Sequence, residues 1–181
     1  MPATTQQVKT NLRTSSNQSP RPLYTAEQRA RRDESIWTLV QGVLAPIQFL
    51  VFLVSLCLVF RYLYTGNGLE VALWSIVIKT LALYTIMVTG CIWEKVVFGR
   101  YLFASAFYWE DVFSMLVLAL HTAYLAALAT DVVDARKLMY LALAAYLAYV
   151  INAGQFIWKL RTARLDHARQ QTVISNQGLT A

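Results

Sequence analysis

Two cysteines and two histidines in 181 residues leave little material for a metal centre, and none of the four sits at a metal-ligand spacing from another. A structural zinc site and iron–sulfur chemistry are therefore unsupported. Cys57 and Cys91 fall near opposite ends of two apolar runs, too far apart in depth to bridge readily. The seven glycines form no phosphate-cradling loop and no nucleophile elbow, which removes the support for ATP use and serine hydrolysis. Charge is scarce as well. With 14% charged against 57% hydrophobic residues, a soluble fold of this size would be covered in exposed apolar surface.

Long apolar runs are what the chain has instead. Residues 36–60 hold no charge over 25 positions, residues 71–93 are interrupted only by Lys79, and residues 112–130 and 138–158 add uncharged runs of 19 and 21. A helix crosses the hydrocarbon core in about 20 residues, and no period-2 alternation suggests a barrel. The expectation is an all-α polytopic membrane protein, a bundle of four transmembrane helices within a single domain over residues 23–165. Residues 1–22, rich in Thr, Gln, Ser and Asn, read as a disordered tail and residues 166–181 as a C-terminal tail. Thr25, followed by Glu27 and Gln28, could open a short surface helix. The first apolar run starts late and is too long for a signal-peptide core, which argues against a cleaved leader.

Basic residues set the expected orientation. Six lie before residue 36, two (Lys95 and Arg100) between the second and third runs, and four after Trp158, while the other connections hold only Arg61, Arg136 and Lys137. The positive-inside rule places both termini and the second connection in the cytoplasm. The net charge of +6 then suits anionic lipid headgroups rather than nucleic acid, because the basic residues flank spans instead of forming a domain of their own.

Five ionisable side chains lie in or beside the spans: Lys79, Glu94, Glu110, Asp111 and His121. Each would cost roughly 3 kcal/mol or more at the bilayer centre, which makes it a candidate functional group. The orientation gathers Glu94, Glu110 and Asp111 at the cytoplasmic face, where carboxylates and tryptophans also serve simply as interfacial anchors. At about 100° per residue, Glu110, Ser114, His121 and Tyr124 share one helix face, so this stripe either glues the bundle or lines a pocket. His121 can be read as a core hydrogen bonder, an acid or base, or an axial ligand. Lys79 lies about 12 Å from the outer end of its run, close enough to snorkel. Gln41, Gln48, Asn152 and Gln155 read as interhelical hydrogen bonders or water holders. Six aromatics between Phe98 and Trp109 suggest an interfacial re-entry segment or, more specifically, a lid over a planar ligand.

Several strings carry a resemblance. Leu23-Tyr24-Thr25-Ala26-Glu27-Gln28-Arg29-Ala30-Arg31-Arg32, the segment from Trp37 to Phe49, Ile92-Trp93-Glu94-Lys95, Trp109-Glu110-Asp111 and His121-Thr122-Ala123-Tyr124-Leu125 are similar to the 3-vinyl bacteriochlorophyllide hydratase family, called 2-vinyl in older ring numbering. The resemblance spans roughly residues 23–165. It implies a hydro-lyase of bacteriochlorophyll synthesis in a bacterial inner membrane, adding water across the vinyl group of a chlorophyllide to give a 1-hydroxyethyl group. The tetrapyrrole and the bilayer would be its partners, with transient contacts to other enzymes of that pathway. Such chemistry is redox-neutral and implies no cofactor; it needs a general acid, a group that orients water and a water-poor pocket. On this reading Glu110 or Glu94 is the acid, Asp111 orients water, and His121 is the candidate axial ligand of the substrate magnesium, with no metal bound by the protein itself. Lys95 and Arg100 would meet the substrate's free propionate, and Trp93, Trp109, Tyr124, Gln41, Gln48 and Asn152 complete the candidate substrate-binding set. The rival readings are a non-enzymatic pigment-binding or photosynthetic-assembly subunit, and a small transporter, which lacks an evident inverted repeat.

Overall fold

A computed structural model describes residues 23–178; the tail expected at 1–22 lies outside them. Five helices follow in order: α1 (Ala26–Glu34), α2 (Ile36–Thr65), α3 (Leu69–Phe98), α4 (Tyr108–Thr130) and α5 (Ala135–Gly178). The described residues are all-α, and four of the helices are long and apolar enough to cross a membrane.

Local chemistry sets the boundaries. Thr25 and Gln28 form a capping box: the Gln28 N–H donates to Thr25 Oγ1 at 3.2 Å and the Thr25 N–H to Gln28 Oε1 at 3.0 Å. Ser35 then caps α2 by accepting the Trp37 N–H. Gly66 (φ 72°) ends α2 and Gly99 (φ 80°) ends α3, each in the left-handed region that costs glycine nothing. Both helices outrun the apolar stretches at 36–60 and 71–93 because nothing breaks them before those glycines. By the same logic α5 continues to Gly178, since no proline or glycine interrupts residues 155–177. Part of the expected C-terminal tail is thus a helical extension.

Tight turns make two antiparallel hairpins, α2–α3 and α4–α5. Their shared core is built on Phe52, Val59, Ile76, Tyr124, Met139 and Tyr146. The outward faces carry exposed Leu50, Val54, Trp74, Val88, Leu147 and Ile157, as lipid-facing helices require.

Lys79 does not snorkel. It is fully buried, with Nζ 2.5 Å from His121 Nε2 and 4.3 Å from the Tyr149 ring centroid. The other imidazole nitrogen explains how the amine is accommodated. His121 Nδ1 lies 2.8 Å from the Val117 carbonyl, which can only accept, so Nδ1 carries the proton and Nε2 is left as an acceptor for the lysine. An inward-facing acceptor at the right depth thus replaces the route to the interface.

A smaller aromatic cluster fastens α1 to the bundle. Tyr24 is 5% exposed, stacked on Phe98 at 5.7 Å and tilted against Phe107 at 6.4 Å, with the Arg32 guanidinium 4.8 Å above its ring. Burial raises the Tyr24 phenol above its ordinary pKa, opposed by the neighbouring Arg32. Trp93 Nε1 donates to Thr38 Oγ1 at 2.9 Å, and that hydroxyl donates to the Arg32 carbonyl at 2.6 Å, so the α1–α2 corner is tied to α3. Because α1 buries no side chain of its own, Tyr24 is its main anchor. Loss of a buried aromatic costs about 3–5 kcal/mol. Tyr24→Ala is therefore expected to speed tryptic cleavage at Arg29, Arg31 and Arg32 by at least about tenfold while the four-helix bundle stays intact, read by a cleavage time course with circular dichroism.

Candidate active site

One end of the bundle holds a cavity of about 1470 Å³, bounded by α1, α2, α3, α5 and the start of α4. It is larger than the usual 300–1,000 Å³ of a drug-sized pocket. The space arises where the helices present little side chain: Gly42 and Ala45 on α2, Gly90 on α3 and Ala153 on α5 all line it. Pro46 lines it too and, lacking an N–H, leaves the Gly42 carbonyl without its helical donor. Leu83, Ile86, Met87, Phe49 and Phe156 make the walls apolar.

The polar groups on those walls are few and incompletely satisfied. Gln48 Nε2, Glu94 Oε2 and Asn152 Oδ1 are buried without a partner, although all three side chains line the cavity. Buried polar atoms are normally hydrogen-bonded, so three orphans facing one space mark where a ligand or a water is received. Asn152 donates its other end to Ser114 Oγ at 2.8 Å. Gln41 is engaged with Thr89 Oγ1 at 2.7 Å and fills the space beside Gly90, where its amide atoms lie 3.9 Å from a Cβ placed there.

Glu94, from the end of α3, and Asp111, from the first turn of α4, meet at the cavity wall as neighbouring carboxyl groups. Asp111 Oδ2 accepts the Phe103 N–H at 2.8 Å, which folds the α3–α4 connection over the pair. Phe103 holds that position with φ 58°, a left-handed backbone rare outside glycine and asparagine.

The sequence candidates divide by location. Glu94, Asp111, Trp93, Gln41, Gln48 and Asn152 line the cavity. Glu110 is buried beside them but turned to Lys159, whose Nζ donates to Glu110 Oε2 at 2.6 Å. His121 and Tyr124 are fully buried below the cavity, and the polar stripe of α4 thus splits, Ser114 facing the cavity and the lower half facing the packed core. With one imidazole nitrogen on Val117 and the other on Lys79, His121 has no lone pair turned to the cavity. Trp109 is 68% exposed, as an interfacial tryptophan would be. Lys95 bonds the Gly99 carbonyl and lies over Tyr101, and neither it nor the exposed Arg100 reaches the cavity. The α3–α4 aromatics also split: Phe98 and Phe107 pack inward around Tyr24, while Tyr101, Phe103, Tyr108 and Trp109 face out. Arg29, Arg32 and Arg164 also line the cavity, though none is among the sequence candidates; the basic run Arg29 to Arg32 was the signal for the first two, and Arg164 had none beyond the basic residues after Trp158.

The family model for 2-vinyl bacteriochlorophyllide hydratase matches residues 24–162. The chain belongs to that family. The protein named 2-vinyl bacteriochlorophyllide hydratase from Rhodobacter capsulatus is 64% identical over 164 residues, covering 90% of this chain and 95% of the relative. Its namesake from Cereibacter sphaeroides is 69% identical over 146 residues, covering 81% of this chain and 91% of the relative. No solved structure matches the chain. The family match reaches into every helix that borders the cavity and takes in the carboxyl pair and its Phe103 clasp.

The left-handed residue gives a direct test. Phe103 already bears the roughly 1–2 kcal/mol that a left-handed backbone costs an L-residue, so Phe103→Gly is expected to keep the connection or stabilise it, whereas the β-branched Phe103→Val should lower stability. The thermal midpoints of the two purified variants check this.

Proposed function

We propose that the protein is a hydro-lyase that adds water across the vinyl group of a chlorophyllide or 3-vinyl bacteriochlorophyllide, giving the 1-hydroxyethyl product in bacteriochlorophyll synthesis. The names of both relatives and of the family support the reaction. The buried Glu94 and Asp111 carboxyl groups, side by side on the wall of a large apolar cavity, are the observation that carries the mechanism. A macrocycle suits the volume, and the apolar walls supply a medium in which water is rationed.

The pair divides acid from base. Asp111 accepts the Phe103 N–H, and the mechanism assigns the proton to Glu94, with Asp111 as acceptor. Glu94 delivers that proton to the terminal vinyl carbon, leaving a cation on the carbon next to the ring, where the conjugated macrocycle spreads the charge. A water held at the cavity's unpartnered amides, Gln48 and Asn152, attacks that carbon. Asp111 takes the proton the water gives up and returns it to Glu94 beside it. One C–H and one C–O bond form, one O–H bond breaks, the vinyl π-bond is consumed, and the site returns to its starting state without an electron changing hands.

The reading places the cavity end in the cytoplasm, in line with the basic residues around it, and the spans in the bacterial inner or intracytoplasmic photosynthetic membrane. Contact with other enzymes of the pathway remains transient on this view.

Detergent-purified protein mixed with chlorophyllide a and no redox cofactor is expected to yield product heavier by one water, read by mass spectrometry. Glu94→Gln and Asp111→Asn should each slow this by roughly 10²–10⁴-fold, the usual worth of a positioned acid or base. Glu110→Gln should stay within about twofold, since that carboxylate is engaged by Lys159 and does not line the cavity. Wild-type rates in all three folded variants would end the carboxyl mechanism. Saturable pigment binding with no mass gain would favour the non-enzymatic pigment-binding subunit.

A further inference from the structure

The cavity mouth is basic, and its cations are not equivalent. Lys159 is committed to Glu110 at 2.6 Å and Arg32 to Asp33 at 2.7 Å, while Arg164 is exposed. Arg29 differs: it lines the cavity, its Nε is buried without a hydrogen-bond partner, and among the described residues no carboxylate pairs with it. A buried guanidinium nitrogen with nothing to donate to, on a side chain that lines an apolar cavity, is a costly arrangement unless an anion completes it. The helix that carries it is fixed in place. Tyr24 anchors its start among Phe98 and Phe107, and Thr38 holds its end through the Arg32 carbonyl.

We propose that Arg29 receives the substrate's free carboxylate at the cavity mouth and so sets which edge of the macrocycle meets Glu94 and Asp111. This rests on the hydratase reading, in which the substrate is a chlorophyllide, a tetrapyrrole whose propionic acid is not esterified. The guanidinium fork matches a carboxylate in geometry and charge, and it matches a lipid phosphate as well. The two sources separate because only the first is built into the substrate. Lys95 and Arg100, the cations that the sequence suggested for this task, lie off the cavity. Arg29 takes that role from a helix outside the spans.

The test compares chlorophyllide a with its methyl ester on wild type, Arg29→Gln, Arg29→Lys and a Lys95→Gln/Arg100→Gln double variant. It measures KM and kcat for hydration, together with Kd by quenching of pigment fluorescence. Wild type should show a KM for the ester roughly ten- to hundredfold above that for the acid, the worth of one hydrogen bond to a charged group. Arg29→Gln should raise the KM for the acid by a similar factor while the ester's KM and both kcat values move by less than about twofold. Arg29→Lys should recover part of the loss, and the double variant should match wild type. Equal KM values for acid and ester in wild type, as when a lipid phosphate is the bound anion, overturn the proposal. So does an Arg29→Gln variant in which the acid is unaffected or both substrates weaken together. If no pigment gains water but the Kd values split between acid and ester as described, the hydratase reading fails and the carboxylate site stands.

Discussion

Inside a bilayer an apolar side chain gains nothing by exchanging lipid for protein, so the two hairpins of this chain depend on bonds that lipid cannot offer. The main one is between Lys79 and His121, which joins α3 to α4 across the seam. Ser55 and Tyr146 make the matching bond between α2 and α5 at 2.5 Å, and Tyr84 with Thr122 adds a third at the rim of the bundle. These links close the half of the bundle away from the carboxyl pair. In the other half small residues line the seam, and the helices stand apart around the cavity. A clamped floor and an open top are therefore two results of one distribution of side chains. Polar partners face each other where the helices must hold, and glycine and alanine stand where they must part.

Much of the fold is legible in the sequence because a membrane leaves few options: long apolar runs must be helices, and the capping box and terminal glycines mark their ends. The inward face of α4 is legible as well, since Glu110, Ser114, His121 and Tyr124 recur at helical spacing and all four prove buried. What one helix cannot reveal is what stands opposite. Lys79 meets His121 only because of how α3 and α4 are rotated, a property of the pair that no single-helix pattern encodes. Glu94 and Asp111 are neighbours for the same kind of reason, brought together by a connection that Gly99 and Phe103 bend. Glu110 is adjacent to Asp111 in the chain, yet one turns to the cavity and the other to Lys159. Residue type alone could not make that division. Arg29 escaped notice because a basic run beside a span also reads as a lipid anchor.

The site is economical in charge. Glu94 and Asp111 stand side by side, Glu110 is neutralised by Lys159, and Arg32 by Asp33. Glu94, Gln48 and Asn152 are left with unmet hydrogen-bonding capacity facing the cavity, and Arg29 with the same at its mouth. The unmet capacity of the described structure is thus concentrated where a large apolar guest with a polar edge would lie. Tyr124 and Gln155 are exceptions, each with a buried oxygen that has no partner and no place on the cavity wall.

The proton exchange proposed between Glu94 and Asp111 has a thermodynamic side. A proton that travels in a closed loop between two carboxyl groups gives the site no preferred direction, because each step is its own reverse and nothing external is spent. On that mechanism, a pair that hydrates a vinyl group would remove water from the alcohol with the same machinery. Net flow toward the alcohol must then be imposed from outside the protein, by whatever reaction withdraws the alcohol, and this catalyst sets only how fast the balance is reached.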